Sequence, residues 1–190
     1  MNINYVSPHN TDQVKYTGPL AIVSYKGEKN AEHQMTGYGE VLFANNSTYK
    51  GYFKNDMMHG PGEFIDPQGW IFKGEFFEDK RQGQASFTYE GGKYEGMYEN
   101  NRRHGKGKEV DNAGNMFEGT FTNGDFVKGR ISYANGDIYI GECKDDCRHG
   151  KGKFLRCDDG EEWDGMWEDD NFIGEAWKLF PFFPPTQEVL

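Results

Sequence analysis

The sequence predicts an all-β protein, an antiparallel meander of about fourteen short strands whose core is one layer deep. Three observations carry this. An aromatic-x-Gly triplet recurs about every 23 residues, turn-forming residues punctuate each interval, and apolar residues alternate with polar ones between the turns. Helix is excluded by the period of two, and by glycines that would cost a helix about 1 kcal/mol each.

The triplet begins at Tyr25, Tyr49, Phe72, Tyr94, Phe117, Tyr139 and Trp163, at spacings of 24, 23, 22, 23, 22 and 24. It opens the first strand of each unit. A second aromatic follows four residues later at Phe53, Phe76, Tyr98, Phe121 and Trp167, with Lys29 and Cys143 in that slot in the other two units. Polar breaks such as KND at 54, ENN at 99 and KDD at 144 then end the strand. The second strand is expected to begin at a Gly-x-Gly pair: Gly60/Gly62, Gly105/Gly107, Gly150/Gly152 and, after a one-residue insertion, Gly37/Gly39. In two units the pair is degraded to Gly83/Ala85 and Gly174/Ala176, and in the fifth only Gly129 survives. Turns rich in residues that accept positive φ separate the units: DPQG at 66, EGG at 90, DNAG at 111, ANGD at 134 and DDGE at 158.

Positions one, three and five of a strand share a face, so each triplet places a glycine between two aromatics. Glycine weakens a strand unless something covers it. A neighbouring ring lying flat over the bare backbone supplies that cover, and the rings become the core. Stability of such an array is close to one-dimensional, so its ends need caps. Residues 13–24, containing QVKYTGPLAIVS, are expected to cap one end, and residues 1–12 to form a loose tail. At the other end WKLFPFFPP, Trp177 to Pro185, carries prolines that rule out a central strand. Residues 179–190 are expected to form a cap or a tail, with a ligand or dimer contact as the alternative role.

Composition sets further bounds. Of the 190 residues 35% are hydrophobic, 26 are glycine and 16% are aromatic, which gives a thin but folded protein. The formal charge of -10 disfavours nucleic acid, as does the lack of a basic stripe interleaved with stacking rings. With no signal-peptide pattern and no run of eighteen apolar residues, the expectation is a soluble cytoplasmic protein with Cys143, Cys147 and Cys157 reduced.

RHGKGK, at Arg103 to Lys108 and again at Arg148 to Lys153, invites a phosphate-loop reading. A Walker loop needs a different spacing and a following Ser or Thr, and no GxGxxG occurs. His59, His104 and His149 lie two repeats apart, roughly 19 Å at the usual strand spacing, too far for a shared metal or a catalytic dyad. The group Cys143, Cys147, His149 and Cys157 has the spacing of no common zinc module. Neither GxSxG nor a hydrolase-like Cys-His pair is present, so no enzyme, cofactor or metal is expected.

The unit Y-x-G-x-(aromatic)-x(6)-G-x-G, in register over about residues 25–178, resembles the MORN (membrane occupation and recognition nexus) repeat in seven copies. The resemblance implies an elongated, twisted single-layer antiparallel sheet, about 70 Å long by strand spacing, that acts as a scaffold or adaptor. It implies a protein partner, such as a cytoskeletal, motor or ciliary component, and a place in the cytoskeleton or cilium. The candidate protein-binding surface is the aromatic face, a helix or extended peptide lying across Tyr49, Phe53, Phe72, Phe76, Tyr94, Tyr98, Phe117 and Phe121, with Tyr139, Trp163 and Trp167 continuing the stripe. The bland alternative is that these rings pack only on each other. A second function reading is membrane apposition, with acidic phospholipid bound by a basic row of Arg81, Arg102, Arg103, Lys128 and Arg148. A third is an accessory subunit of a separate enzyme. Homodimers, end to end or face to face, suit an edge-bearing sheet.

Overall fold

Seven hairpins follow one another in the computed structural model, which describes residues 21–174. The strands are β1 (Ile22–Lys29), β2 (Met35–Phe43), β3 (Thr48–Lys54), β4 (Met57–Ile65), β5 (Ile71–Phe77), β6 (Lys80–Tyr89) and β7 (Gly92–Glu99). They continue as β8 (Arg102–Val110), β9 (Met116–Thr122), β10 (Asp125–Ser132), β11 (Ile138–Lys144), β12 (Cys147–Leu155), β13 (Glu162–Glu168) and β14 (Asn171–Gly174). All fourteen join one antiparallel, twisted open sheet in chain order. Thirteen pairings at the usual spacing make a ribbon about 60 Å long. Residues 22–24 belong to β1. The tail at 1–12, the rest of the segment 13–24 apart from Ala21, and Trp177 to Pro185 lie outside the described residues.

Five of the seven hairpin turns are built from Asn55/Asp56, Glu78/Asp79, Asn100/Asn101, Asp145/Asp146 and Asp169/Asp170, all with positive φ. Two successive positive-φ residues make the type I′ turn, whose twist matches that of the flanking strands, and Asn and Asp tolerate it best. These turns also tie neighbouring hairpins together. The Met35 amide donates to Asp56 Oδ1 at 2.8 Å, Met58 to Asp79 at 2.7 Å, Arg81 to Asn101 at 2.8 Å and Arg148 to Asp170 at 2.9 Å. In return the amides of Asp56, Asp79, Asn101 and Asp170 donate to the carbonyls of the same four residues. These four turns thus dock on the second strand of the unit before them.

The Gly-x-Gly pair lies inside the second strand, not at its start. Between Gly51 and Phe53 the pairing partners jump from Gly62 to Met58, a bulge that also appears in the β7–β8 and β11–β12 hairpins. The first glycine of the pair sits in this bulge at positive φ, 81° at Gly60, 76° at Gly105 and 70° at Gly150, a conformation that disfavours any side chain.

The second glycine has a different reason. Gly27, Gly39, Gly51, Gly62, Gly74, Ala85, Gly96, Gly107, Gly119, Gly129, Gly141, Gly152 and Gly165 are paired in register from β1 to β13. A seam almost free of side chains therefore crosses thirteen strands. Over it lie the tyrosines of the full repeats: a Cβ added at Gly107 would stand 2.5 Å from Tyr94 Oη and 2.6 Å from a ring carbon. Where the seam carries Ala85, the covering residue is Phe72, and none of its atoms are among the nearest neighbours of a Cβ at Gly74. We expect Gly107→Ala to cost about 1–3 kcal/mol through overpacking, read as a lower urea midpoint at constant slope. Ala85→Gly, at the one seam position that already holds a methyl, should cost about 1 kcal/mol.

Candidate functional site

From Tyr25 to Phe126 the rings form an edge-to-face ladder on the inner face. Tyr49 meets Phe53 of its own strand at 5.0 Å and Phe76 of the next unit at 5.1 Å. The same double contact recurs at Phe72, with Phe76 and Tyr98 both at 5.1 Å, and at Tyr94, with Tyr98 at 5.5 Å and Phe121 at 5.1 Å. Interplanar angles of 74° to 88° set ring edges against ring faces, the arrangement favoured by the aromatic quadrupole. Tyr49, Tyr94 and Tyr139 anchor the ladder by donating their hydroxyls to the carbonyls of Tyr52, Met97 and Glu142. Burial holds the Tyr49 and Tyr139 hydroxyls well above the usual tyrosine pKa, so they stay donors. In the sixth unit the slot for the second ring holds Cys143, a buried thiol whose pKa is pushed up to about 12 by burial.

Of the eleven rings read from the sequence as a partner surface, nine are buried: Tyr49, Phe53, Phe72, Phe76, Tyr94, Tyr98, Phe121, Tyr139 and Trp167. Tyr94 and Tyr98 are only 0% and 1% exposed, so a partner has no access to them in this conformation. Phe117 and Trp163 are half-buried. Phe64, Trp70 and Tyr133, also half-buried against the core, join them along the side of the inner face near the inter-unit turns. Sequence reasoning missed these three because it followed only positions one and five of the first strand. Trp70 and Tyr133 flank the turns, whose aromatic content was the available signal.

The basic residues are divided. Arg81 lies over the rings of Phe72, Phe87 and Tyr98 at 5.5, 5.9 and 5.1 Å, and Arg148 over Phe154 and Trp167 at 5.0 and 4.5 Å. Arg103 is buried, stacked on Tyr94 and Phe121, and paired with Glu109 at 2.8 Å. Glu109 in turn accepts from the Tyr89 hydroxyl at 2.7 Å. These three guanidiniums roof the aromatic core instead of lining a solvated edge, because cations are attracted to ring faces and their stems are apolar. Arg102 and Lys128 are exposed.

On the outer face the seam is bordered by a row of alternating charge. Lys26, Glu40, Lys50, Glu63, Lys73, Ser86, Glu95, Lys108, Glu118, Arg130, Ile140, Lys153 and Asp164 follow one another in register across thirteen strands. Lys50 pairs with Glu40 at 2.8 Å and Lys73 with Glu63 at 2.7 Å. Opposite charges across a pair favour this register and like charges would oppose it. Shallow hollows lie along the seam, one between Glu95, Lys106, Lys108 and Glu118 and one between Lys128, Ile140, Lys151 and Lys153.

The histidines and cysteines stay apart in role. His59 packs on Phe77, while His104 and His149 stand near Glu99 and Asp169 at 3.5 and 3.4 Å. Cys157 donates its thiol to the Asn135 carbonyl, and among the described residues no three metal-ligating side chains converge. No helix among the described residues is long and apolar enough to cross a membrane.

A single-layer ribbon of tandem hairpins, each supported by its neighbours, defines a repeat protein of the open-array class. The family model of the MORN repeat matches residues 49–71, 72–93, 94–116, 117–138 and 139–161, and the chain belongs to this family. The hairpins before and after these five complete the seven units. Among curated proteins none matches. Solved structures that resemble the chain include the TCP domain of SAS-4 (dCPAP) from Drosophila melanogaster, in complex with a proline-rich motif of Ana2 (dSTIL), at 16% identity and TM-score 0.43, covering 78% of this chain and 83% of that one. Another is a mutant TCP10 domain of CPAP from Danio rerio, at 12% identity and TM-score 0.24, covering 76% and 71%.

Proposed function

We propose that the protein is a non-enzymatic scaffold that holds a protein partner, as a helix or extended peptide, along the aromatic side of its ribbon. The observation that supports this reading most directly is the set of half-exposed rings, Phe64, Trp70, Phe117, Tyr133 and Trp163, packed against the buried ladder. Rings that are rigid, apolar on one side and open on the other are the usual anchors of a binding surface. The nine buried rings then act as the floor that fixes these anchors. Membership of the MORN family suggests a cytoplasmic, cytoskeletal or ciliary assembly as the setting.

The test separates anchor from floor. Trp70→Ala combined with Phe117→Ala should weaken partner capture about tenfold or more, as truncation of interface anchors does. The sheet signal in circular dichroism should persist. A photo-crosslinker at position 70 should give partner adducts, and one at the outer-face position 97 should not. Undiminished capture by the double variant would refute the assignment.

A further inference from the structure

We propose that the outer face is a self-association surface, on which a second copy of the chain packs face to face about a two-fold axis running along β6 through Ser86. The signs of the outer charge row carry the argument. From Lys26 to Lys73 the row reads plus, minus, plus, minus, plus; Ser86 is neutral; from Glu95 to Arg130 it reads minus, plus, minus, plus. The alternation slips by one step at Ser86, and over four strands on each side, β2 to β10, the row is antisymmetric about that residue.

A two-fold axis parallel to β6 reverses strand order and preserves strand direction. It therefore sets β5 on the partner's β7, β4 on β8, β3 on β9 and β2 on β10, and each chain's contact is repeated by its copy. Lys73 then meets Glu95, Glu63 meets Lys108, Lys50 meets Glu118 and Glu40 meets Arg130. Without the slip, the same axis would set like charges against like. Moving the axis to β5 or β7 sets Lys73 or Glu95 against its own copy. Of the two strands that carry a neutral residue in the row, an axis on β11 at Ile140 would set Arg130 on Lys153, which leaves β6.

The flanking rows are mixed, with Ile71 on Lys93 and Glu75 on Met97 nearest the axis and better-matched pairs further out. Ile65 meets Val110 and Thr48 meets Met116 on one side of the charge row, and Tyr52 meets Thr120 on the other, with Tyr52 exposed in the single chain. No like-charged pair arises in these rows between β2 and β10. Twisted sheets of one hand can stack face to face with strands nearly aligned. The surface is opposite the half-exposed rings, so a dimer leaves the aromatic side open for a partner.

Sedimentation velocity on the full chain tests this. At about 50 mM salt a dimer is expected, and at about 500 mM, where charges are screened within a few ångströms, it should dissociate. Ser86→Glu gains one favourable and one unfavourable neighbour in its own row but places two carboxylates together on the axis. It should raise the dimer Kd at least about tenfold without lowering the melting temperature of the dilute chain. Lys73→Glu should weaken the dimer similarly, and Lys73→Glu with Glu95→Lys should restore it, because the two positions face each other across the axis. A monomer at every concentration at low salt, a dimer indifferent to Ser86→Glu, or no rescue by the paired reversal would each overturn the proposal.

Discussion

Tyr94→Ala is expected to lower the unfolding free energy by about 3–5 kcal/mol, the range found when a large buried ring is truncated. The Tyr94 ring covers Gly96 and Gly107, stands edge-on to Tyr98 and Phe121, and lies beneath the Arg103 guanidinium. No other side chain can fill the space over those glycines, since neither has a Cβ. Tyr94→Phe keeps the ring and loses only the bond from its hydroxyl to the Met97 carbonyl, so its cost should be about 1 kcal/mol. Because each unit leans only on its neighbours, the alanine variant should also divide the array. Urea unfolding followed by circular dichroism and by tyrosine fluorescence is expected to coincide for the wild-type chain and to separate into two transitions for Tyr94→Ala. Coincident transitions with a small loss would show that the ring is dispensable.

A comparable loss is expected from breaking the buried ion pair of the fourth unit. Glu109 occupies the core row that elsewhere holds Phe64, Phe87, Ile131 and Phe154, and is 1% exposed beside Arg103 at 2%. Glu109→Ala takes the Glu109 carboxylate away from the buried Arg103 cation and should cost about 3–5 kcal/mol. It also strands the Tyr89 hydroxyl, which burial and the adjacent carboxylate hold protonated far above the usual tyrosine range. The paired replacement Arg103→Met with Glu109→Leu removes both charges and should be near neutral or stabilising. Thermal melts of the three chains decide the matter. If the paired variant is as unstable as the single one, the loss comes from packing and not from breaking the charge pair.

These expectations show what a linear reading reaches. The period of about 23 residues sufficed for the hairpins, their number and the rings over glycine, because each depends on residues close in sequence. The bulge did not follow from it: Gly60, Gly105 and Gly150 read as strand starts, although their positive φ belongs to a loop of extra residues seen only once partners are assigned. Arg81, Arg103 and Arg148 share a repeat phase that the sequence displays, yet phase does not say whether a long side chain turns to solvent or folds back over a ring. The charge row on the outer face was hidden for a related reason. Its members hold two repeat phases, the middle of each triplet and the residue after the second glycine of each pair, and only the strand register shows that these two phases lie side by side. The half-exposed rings likewise could not be told from their buried neighbours by residue type.

The consecutive strand order has a mechanical meaning as well. Every strand stands across the long axis, so a pull between the two ends passes through the backbone hydrogen bonds of all thirteen pairings in series, and no connection spans more than one pairing to share the load. Side-chain contacts from one unit to the next, such as Tyr49 on Phe76, reach across two pairings, and such a ribbon lengthens in steps. Each hairpin that opens frees one repeat of chain, about 75 Å of contour, while the remaining hairpins keep their folded spacing. A scaffold of this kind can yield under tension by one unit at a time without releasing whatever is held by the units still closed.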